Sequence, residues 1–223
     1  MKQLPLSVGL RTASIFANFH VGPNSEAVAA VQCAAGIPIW IWGLPATGKT
    51  HLLQAACAQS AGASAYFPLH PDSGVPPEAL DGFERLDLFC VDDLERAAGH
   101  MDWEKALFKL FNAAAESRTR LIFAARAAPA AIDWGLADWA SRAASSAVYQ
   151  LRPLADEERI DALRMRADSR GMELPLETAE YLLRRMPRDQ KVLFDLIDAL
   201  DDAALAAQRR LTVPFVREAL HLG

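Results

Sequence analysis

The chain has 223 residues, 52% of them hydrophobic and 23% charged, a balance that excludes a disordered chain and supplies a sizeable core with room for a modest second unit. Its formal net charge of -5 argues against broad contact with phosphate backbones, because sequence-independent affinity for nucleic acid comes from Lys and Arg, so any association with DNA is expected to be indirect. Cys33, Cys57 and Cys90 are odd in number, far apart and set among apolar residues. That pattern suits buried thiols in a reducing compartment better than disulfides or zinc, and the cytoplasm is the expected location. No apolar run approaches the roughly 18 residues of a membrane span, and the N-terminus lacks a charged segment followed by an apolar signal core, so no membrane association is expected.

Residues 1–14 read as a polar, Pro-containing leader. Positions 37–42 are apolar and partly β-branched, which predicts a short buried strand ending at Gly43. A helix follows at 51–59, strands at 65–69 and 86–91, and a helix at 102–116 with Trp103, Ala106, Leu107 and Leu110 on one face. Further strands are predicted at 121–125 and 147–151. The alternation specifies an α/β domain over 15–152, a mainly parallel sheet covered by helices. From Pro153 the strand signal disappears. Helices at 156–169, 176–185 and 191–208, and a last one capped by Thr212, predict a small all-helical domain over 153–223. Asp156, Glu157 and Glu158 place acids in the first turn of its opening helix, opposite the positive end of the dipole. Leu193, Leu196, Ile197, Leu200, Ala204 and Ala207 form one apolar stripe at helical spacing.

The strongest chemical signal is Gly43-Leu44-Pro45-Ala46-Thr47-Gly48-Lys49-Thr50, a complete G-x-x-x-x-G-K-[ST] between a predicted strand and a predicted helix, with His51 just beyond it. The glycines let the backbone curl so that its N–H groups and the helix N-terminus face phosphates, Lys49 reaches the terminal phosphates, and the Thr50 hydroxyl can ligate Mg2+. An ordinary Gly-rich turn would not need these flanks. Leu88-Phe89-Cys90-Val91-Asp92-Asp93 is a buried strand with two carboxylates at its C-terminal end, where α/β sheets bind ligands. Asp92 is expected to hold the Mg2+, and Asp93 stands where a base or water-positioning acid is needed. A solvated pair of acids ending a strand is the plainer reading of the same residues.

The Asp92-Asp93 pair, in place of the commoner Asp-Glu, resembles the DnaA-related branch of the AAA+ family, P-loop NTPases with a helical lid. Phe16-Ala-Asn-Phe19-His-Val-Gly22-Pro-Asn24 is similar to the segment lining that family's adenine pocket, and Leu211 to Leu220 is similar to the end of its lid. Trp139-Ala-Ser141-Arg142 resembles the segment carrying its arginine finger; without the resemblance, Arg142 is only a solvated charge. Gln3-Leu4-Pro5-Leu6-Ser7-Val8 resembles the clamp-binding peptide of the Hda-type regulators, with Pro5 and Ser7 departing from its commoner order. The family's further helix-turn-helix domain has no counterpart before Gly223.

The resemblance implies bound ADP or ATP with Mg2+, held by Phe16, Phe19, Asn24, the residues from Gly43 to His51, and a cation in the lid at Lys191 or Arg188. It implies DnaA and the DNA polymerase III sliding clamp as partners, with Gln3, Leu4, Leu6 and Val8 meeting the clamp, and it admits a homo-oligomer. The implied function is stimulation, with the DNA-loaded clamp, of hydrolysis of DnaA-bound ATP, which restrains replication initiation. The strand at 121–125 ends in Ala124 and Ala125 followed by Arg126, without the polar residue that places the attacking water, so autonomous turnover is expected to be weak. The competing readings are an autonomous P-loop ATPase such as a helicase loader, a small-molecule kinase, and a nucleotide-binding scaffold.

Overall fold

A computed structural model describes residues 14–33, 36–187, 190–207 and 209–220. Five strands, β1 (Ile39–Trp42), β2 (Ser64–Pro68), β3 (Leu88–Asp92), β4 (Arg120–Ala125) and β5 (Ala147–Gln150), form one sheet in the order β2-β3-β4-β1-β5. Every neighbouring pair is parallel. β3 is buried along its whole length and β4 at all but its first residue, which explains why the central strands read as unbroken apolar runs.

The pleat divides the strand side chains between two faces. Trp40, Phe89, Val91, Leu121, Phe123 and Ala125 pack against α3 (Met101–Ser117) and α4 (Ala137–Ala144). Ile39, Ile41, Leu88, Cys90, Ile122 and Ala124 pack against α1 (Ser25–Gln32) and α2 (Lys49–Gln59). The result is a three-layer α/β domain. Its first face is rich in aromatics: Trp139 of α4 meets Phe123 edge-on at 5.9 Å and Trp134 at 5.7 Å.

Most boundaries fall within two residues of those expected. The differences have local causes. β1 begins at Ile39 because Ile37 is exposed before the sheet starts. α2 begins at Lys49 because the glycine loop runs directly into the helix N-terminus. α1 is not anticipated: its apolar face comprises only Ala27, Val28 and Val31, too short a run to show a period.

The lid comprises α5 (Asp156–Asp168), α6 (Leu176–Arg185), α7 (Gln190–Ala207) and α8 (Val213–Ala219) around a separate core that includes Leu163, Leu182, Leu193, Ile197, Leu200 and Phe215. Arg166 donates to both carboxylate oxygens of Asp198 at 3.0 and 2.6 Å, tying α5 to α7. The α7 stripe ends at Ala204, because Ala207 is exposed near the helix end. Thr212 is the N-cap of α8 in extended conformation but makes no side-chain capping bond. Among the described residues, no helix is long and apolar enough to cross a membrane.

Two buried polar side chains fix how the parts meet. Asn24 accepts the Arg152 N–H at 2.7 Å and donates to the Arg152 carbonyl at 3.1 Å, fastening the N-terminal segment to the start of the lid. Glu104 of α3 is fully buried and accepts three backbone N–H groups, from Gly99 (2.9 Å), Gly135 (3.1 Å) and Leu136 (2.7 Å). It thereby pins the turn that launches α4. Glu104→Ala strands those donors and is expected to cost about 3 kcal/mol in urea unfolding, with Glu104→Gln, which keeps one acceptor, costing less. A loss for Glu104→Ala below about 1 kcal/mol would show that the turn does not depend on the carboxylate.

Candidate functional site

The loop from Gly43 to Gly48 leaves the C-terminal end of β1, where the Gly43 N–H donates to the Ala125 carbonyl at 3.3 Å. Ala46 (φ 62) and Gly48 (φ 94) are left-handed, so the chain curls back over the start of α2. Thr47 Oγ1 donates to the Leu44 carbonyl at 2.9 Å, while Leu44 and Pro45 are exposed at the tip. Lys49 is buried, and its Nζ donates to the carbonyls of Gly43 (2.8 Å) and Leu44 (2.9 Å). Burial pushes the Lys49 pKa down, opposed by Asp92, Glu95 and Asp93. An ammonium poised over curled backbone at a helix N-terminus forms a cradle for anionic oxygens.

One wall of this cradle is aromatic. Phe19 lies so close to Gly48 that an added Cβ would sit 2.7 Å from the ring. The Phe19 ring meets His51 edge-on at 5.4 Å, and His51 Nε2–H donates to the Ile15 carbonyl at 3.0 Å. Burial lowers the His51 pKa, and the positive Arg166 of the lid adds to that effect. Phe16, half-buried, packs on the same apolar cluster. Asn24 is buried with both of its amide atoms engaged by Arg152, so it acts as a backbone tie.

Asp92 closes the other side. It is 2% exposed, and its Oδ2 accepts hydrogen bonds from Thr50 Oγ1 at 2.6 Å and from the Tyr66 hydroxyl at 3.0 Å. Its Oδ1 accepts the Asp93 N–H at 2.9 Å. Burial and the adjacent Asp92 push the Tyr66 pKa well up, which keeps the phenol a donor. Asp93 is left-handed (φ 54) and lies 3.6 Å from Arg96. Ala124 and Ala125 are fully buried, so β4 ends without a polar side chain until Arg126.

Two residues of this cluster are absent from the sequence reading. Tyr66 sits on β2, whose residues are almost uniformly half-buried and carry no sign that one phenol points to Asp92. Glu95, two positions after Asp93, pairs with Arg126 at 3.1 Å and looks in sequence like any turn acid.

Arg142 does not belong to this cluster. It is exposed on α4, with its guanidinium 6.0 Å from the Phe111 ring centroid. α4 ends at Ala144 and leads into β5, whose first N–H, that of Ala147, bonds to the Pro38 carbonyl just before β1. Arg142 is therefore near the N-terminal edge of the sheet, whereas the glycine loop leaves the C-terminal edge, a strand length of about 13 Å away. Lys191 falls in the first turn of α7, but its side chain lies outside the described residues, as do Arg188, Gln3, Leu4, Leu6 and Val8.

Gly48→Ala combines a left-handed φ with a clash against Phe19. It is expected to destabilise the nucleotide-free protein by about 2 kcal/mol in chemical denaturation. Unchanged stability would mean that this loop relaxes freely and is not held by the aromatic wall.

A family model for the Hda lid domain matches residues 156–220. Domain III of the Thermotoga maritima replication initiation protein DnaA is similar at a TM-score of 0.78 and 21% identity, over 95% of this chain and 97% of that one. AMPPCP-bound DnaA from Aquifex aeolicus gives a TM-score of 0.69 at 23% identity, over 88% of this chain and 67% of that one. The Thermotoga maritima RuvB Holliday junction branch migration motor gives 0.66 at 14% identity, over 89% and 67%. The three-layer core, the strand order and the helical unit thus agree with one architecture: the chain shares the fold of DnaA domain III, and its residues 156–220 match the Hda lid domain.

Proposed function

We propose that this protein binds ADP or ATP with Mg2+ in its own P-loop and, together with the DNA-loaded sliding clamp, stimulates hydrolysis of ATP held by DnaA, thereby restraining replication initiation in the cytoplasm. The observation that carries this reading is that Arg142 is exposed on α4, away from the chain's own P-loop, so any nucleotide it meets would be held by another molecule. The Aquifex DnaA neighbour binds AMPPCP, which supports an adenine nucleotide here.

In the chain's own site, the α2 N-terminus and Lys49 bind the phosphates, exchanging the Gly43 and Leu44 carbonyls for phosphate oxygens. Thr50 and Asp92 supply the hard oxygen donors that suit Mg2+, and their 2.6 Å hydrogen bond holds them at one place. The ion would offset phosphate charge. Thr50 and Asp92 are two donors only, so nucleotide oxygens and water would complete the coordination. Phe16, Phe19 and His51 provide the apolar wall for the base. With alanines at the end of β4, no side chain there orients water, so the bound nucleotide serves to organise the protein and is turned over slowly.

In trans, Arg142 would offset charge developing on the transferred phosphoryl group of DnaA-bound ATP, an effect worth about 10³ to 10⁵ in rate. Gln3, Leu4, Leu6 and Val8 would dock on the clamp, DNA being met only through it, and copies of the chain could assemble by the same edge. The second reading, an autonomous ATPase such as a helicase loader, is favoured by Asp93 standing directly beside Asp92.

The test is hydrolysis of ATP preloaded on DnaA from the same source, with this protein, ADP and DNA-loaded clamp. Arg142→Ala is expected to abolish the stimulation while nucleotide affinity stays unchanged. Stimulation that survives this substitution would exclude the finger mechanism, and appreciable ATP turnover by the protein alone would favour the autonomous reading.

A further inference from the structure

Two charged side chains beside the P-loop have no part in the mechanism above. Arg126 directly follows β4, and the preceding residue, Ala125, accepts the Gly43 N–H, so Arg126 emerges level with the first residue of the phosphate loop. Glu95 holds it at two points. Its Oε2 accepts the Arg126 backbone N–H at 3.1 Å, and its Oε1 lies 3.1 Å from the guanidinium Nε. The second contact is an ion pair only: among the described residues, no hydrogen bond reaches that buried carboxylate oxygen. The Arg126 side chain is 59% exposed and the Glu95 side chain 19%, so the cation is free to swing and the carboxylate is not.

Both charges act on Lys49, Glu95 favouring its ammonium and Arg126 opposing it. The pair thus stands within electrostatic reach of the group that meets the terminal phosphates. Three acids, Asp92, Asp93 and Glu95, face two cations there, Lys49 and Arg126. A diphosphate can be met by the loop and Lys49. A third phosphate adds further negative charge beside Lys49, and because Arg126 emerges level with Gly43 at the start of the same loop, that charge would compete with Glu95 for the guanidinium. The contact it must displace is the poorly aligned one, while the backbone bond to Glu95 Oε2 can persist.

We propose that Arg126, held back by Glu95, sets the preference of this site between nucleoside triphosphate and diphosphate. Arg126 supplies the contact that only a third phosphate can accept, and Glu95 is a positioning residue that weakens it. The inference rests on the nucleotide site described under Proposed function. A bare surface ion pair, by contrast, contributes little and would leave nucleotide preference untouched.

The experiment is calorimetric titration of the full chain with AMPPCP and with ADP, both with Mg2+, for the wild type, Arg126→Ala, Arg126→Gln, Glu95→Gln and the double variant Glu95→Gln/Arg126→Ala. Both Arg126 variants are expected to weaken AMPPCP about tenfold and leave ADP within about twofold, the loss of one charge-assisted phosphate contact. Glu95→Gln is expected to tighten AMPPCP relative to ADP by about threefold or more, and the double variant to match Arg126→Ala, since Glu95 acts through Arg126. Equal weakening of both nucleotides, no change in their ratio, or a Glu95→Gln effect that persists without Arg126 would overturn the proposal. A wild type that binds neither nucleotide would overturn the site reading itself, and the proposal with it.

Discussion

The hydrogen bond from Thr50 to Asp92 joins the two halves of the site, and the rest of the structure makes it tenable. A carboxylate that is 2% exposed is costly unless its oxygens are satisfied. Asp92 meets that requirement with three donors from three places: Thr50 at the start of α2, Tyr66 on β2, and the N–H of Asp93. Each donor depends on a different element of the fold. Thr50 requires the glycine loop to return the chain over β3, Tyr66 requires β2 to pair with β3 in the register that sets it opposite Cys90, and the Asp93 N–H requires that residue's left-handed turn. The central insertion of β1 between β4 and β5 then brings the phosphate loop and the end of β4 to the same sheet edge.

The lid is connected to this edge by polar contacts between well-separated stretches of chain. Asn24 grips the backbone of Arg152, and Gly22, at φ 47, lets Leu154 approach so closely that a Cβ would lie 2.5 Å from its side chain. The segment bearing Phe16 and Phe19 is consequently clamped between the phosphate loop and the first residues of the lid. Arg166, locked by Asp198, extends the positive field of the lid to His51. A change in the angle between core and lid would pass through these few contacts, which makes them the natural route by which an occupied site could alter the outer surface.

Much of the core was legible in the sequence because its determinants are local. The glycine spacing, the lysine and the hydroxyl of the P-loop all act within one turn of chain, and the apolar runs of β3 and β4 reflect burial on both faces. What escaped detection depends on distant partners. The Asn24–Arg152 tie spans 128 positions, the Tyr66–Asp92 bond 26, and the Glu95–Arg126 pair 31. Glu104 is hidden for the same reason: an acid on an amphipathic helix is ordinarily solvated, and only the tertiary arrangement supplies its three backbone donors. α1 fell below the length at which a helical period becomes visible. At Ala207 the period was visible but the neighbouring helix was not there to cover it.

The division of charge between the two sheet edges gives the fold its functional direction. At the C-terminal edge, cations and acids are paired with one another, Lys49 among Asp92, Asp93 and Glu95, and Arg126 with Glu95. Such a set can accept an anionic ligand without leaving a bare charge when the ligand departs. At the N-terminal edge, the Arg142 guanidinium lies over the Phe111 ring on an exposed helix face and, among the described residues, has no carboxylate within ion-pair distance. A guanidinium whose charge is not already neutralised loses little when it engages an external phosphate, whereas one tied to a carboxylate must first give that partner up. The same α4 is anchored through Trp139 in the aromatic core and through the Glu104-bound turn at its start, so Arg142 is presented from a rigid platform. An uncompensated cation at one edge and a self-neutralised cradle at the other is the arrangement that the proposed action in trans requires.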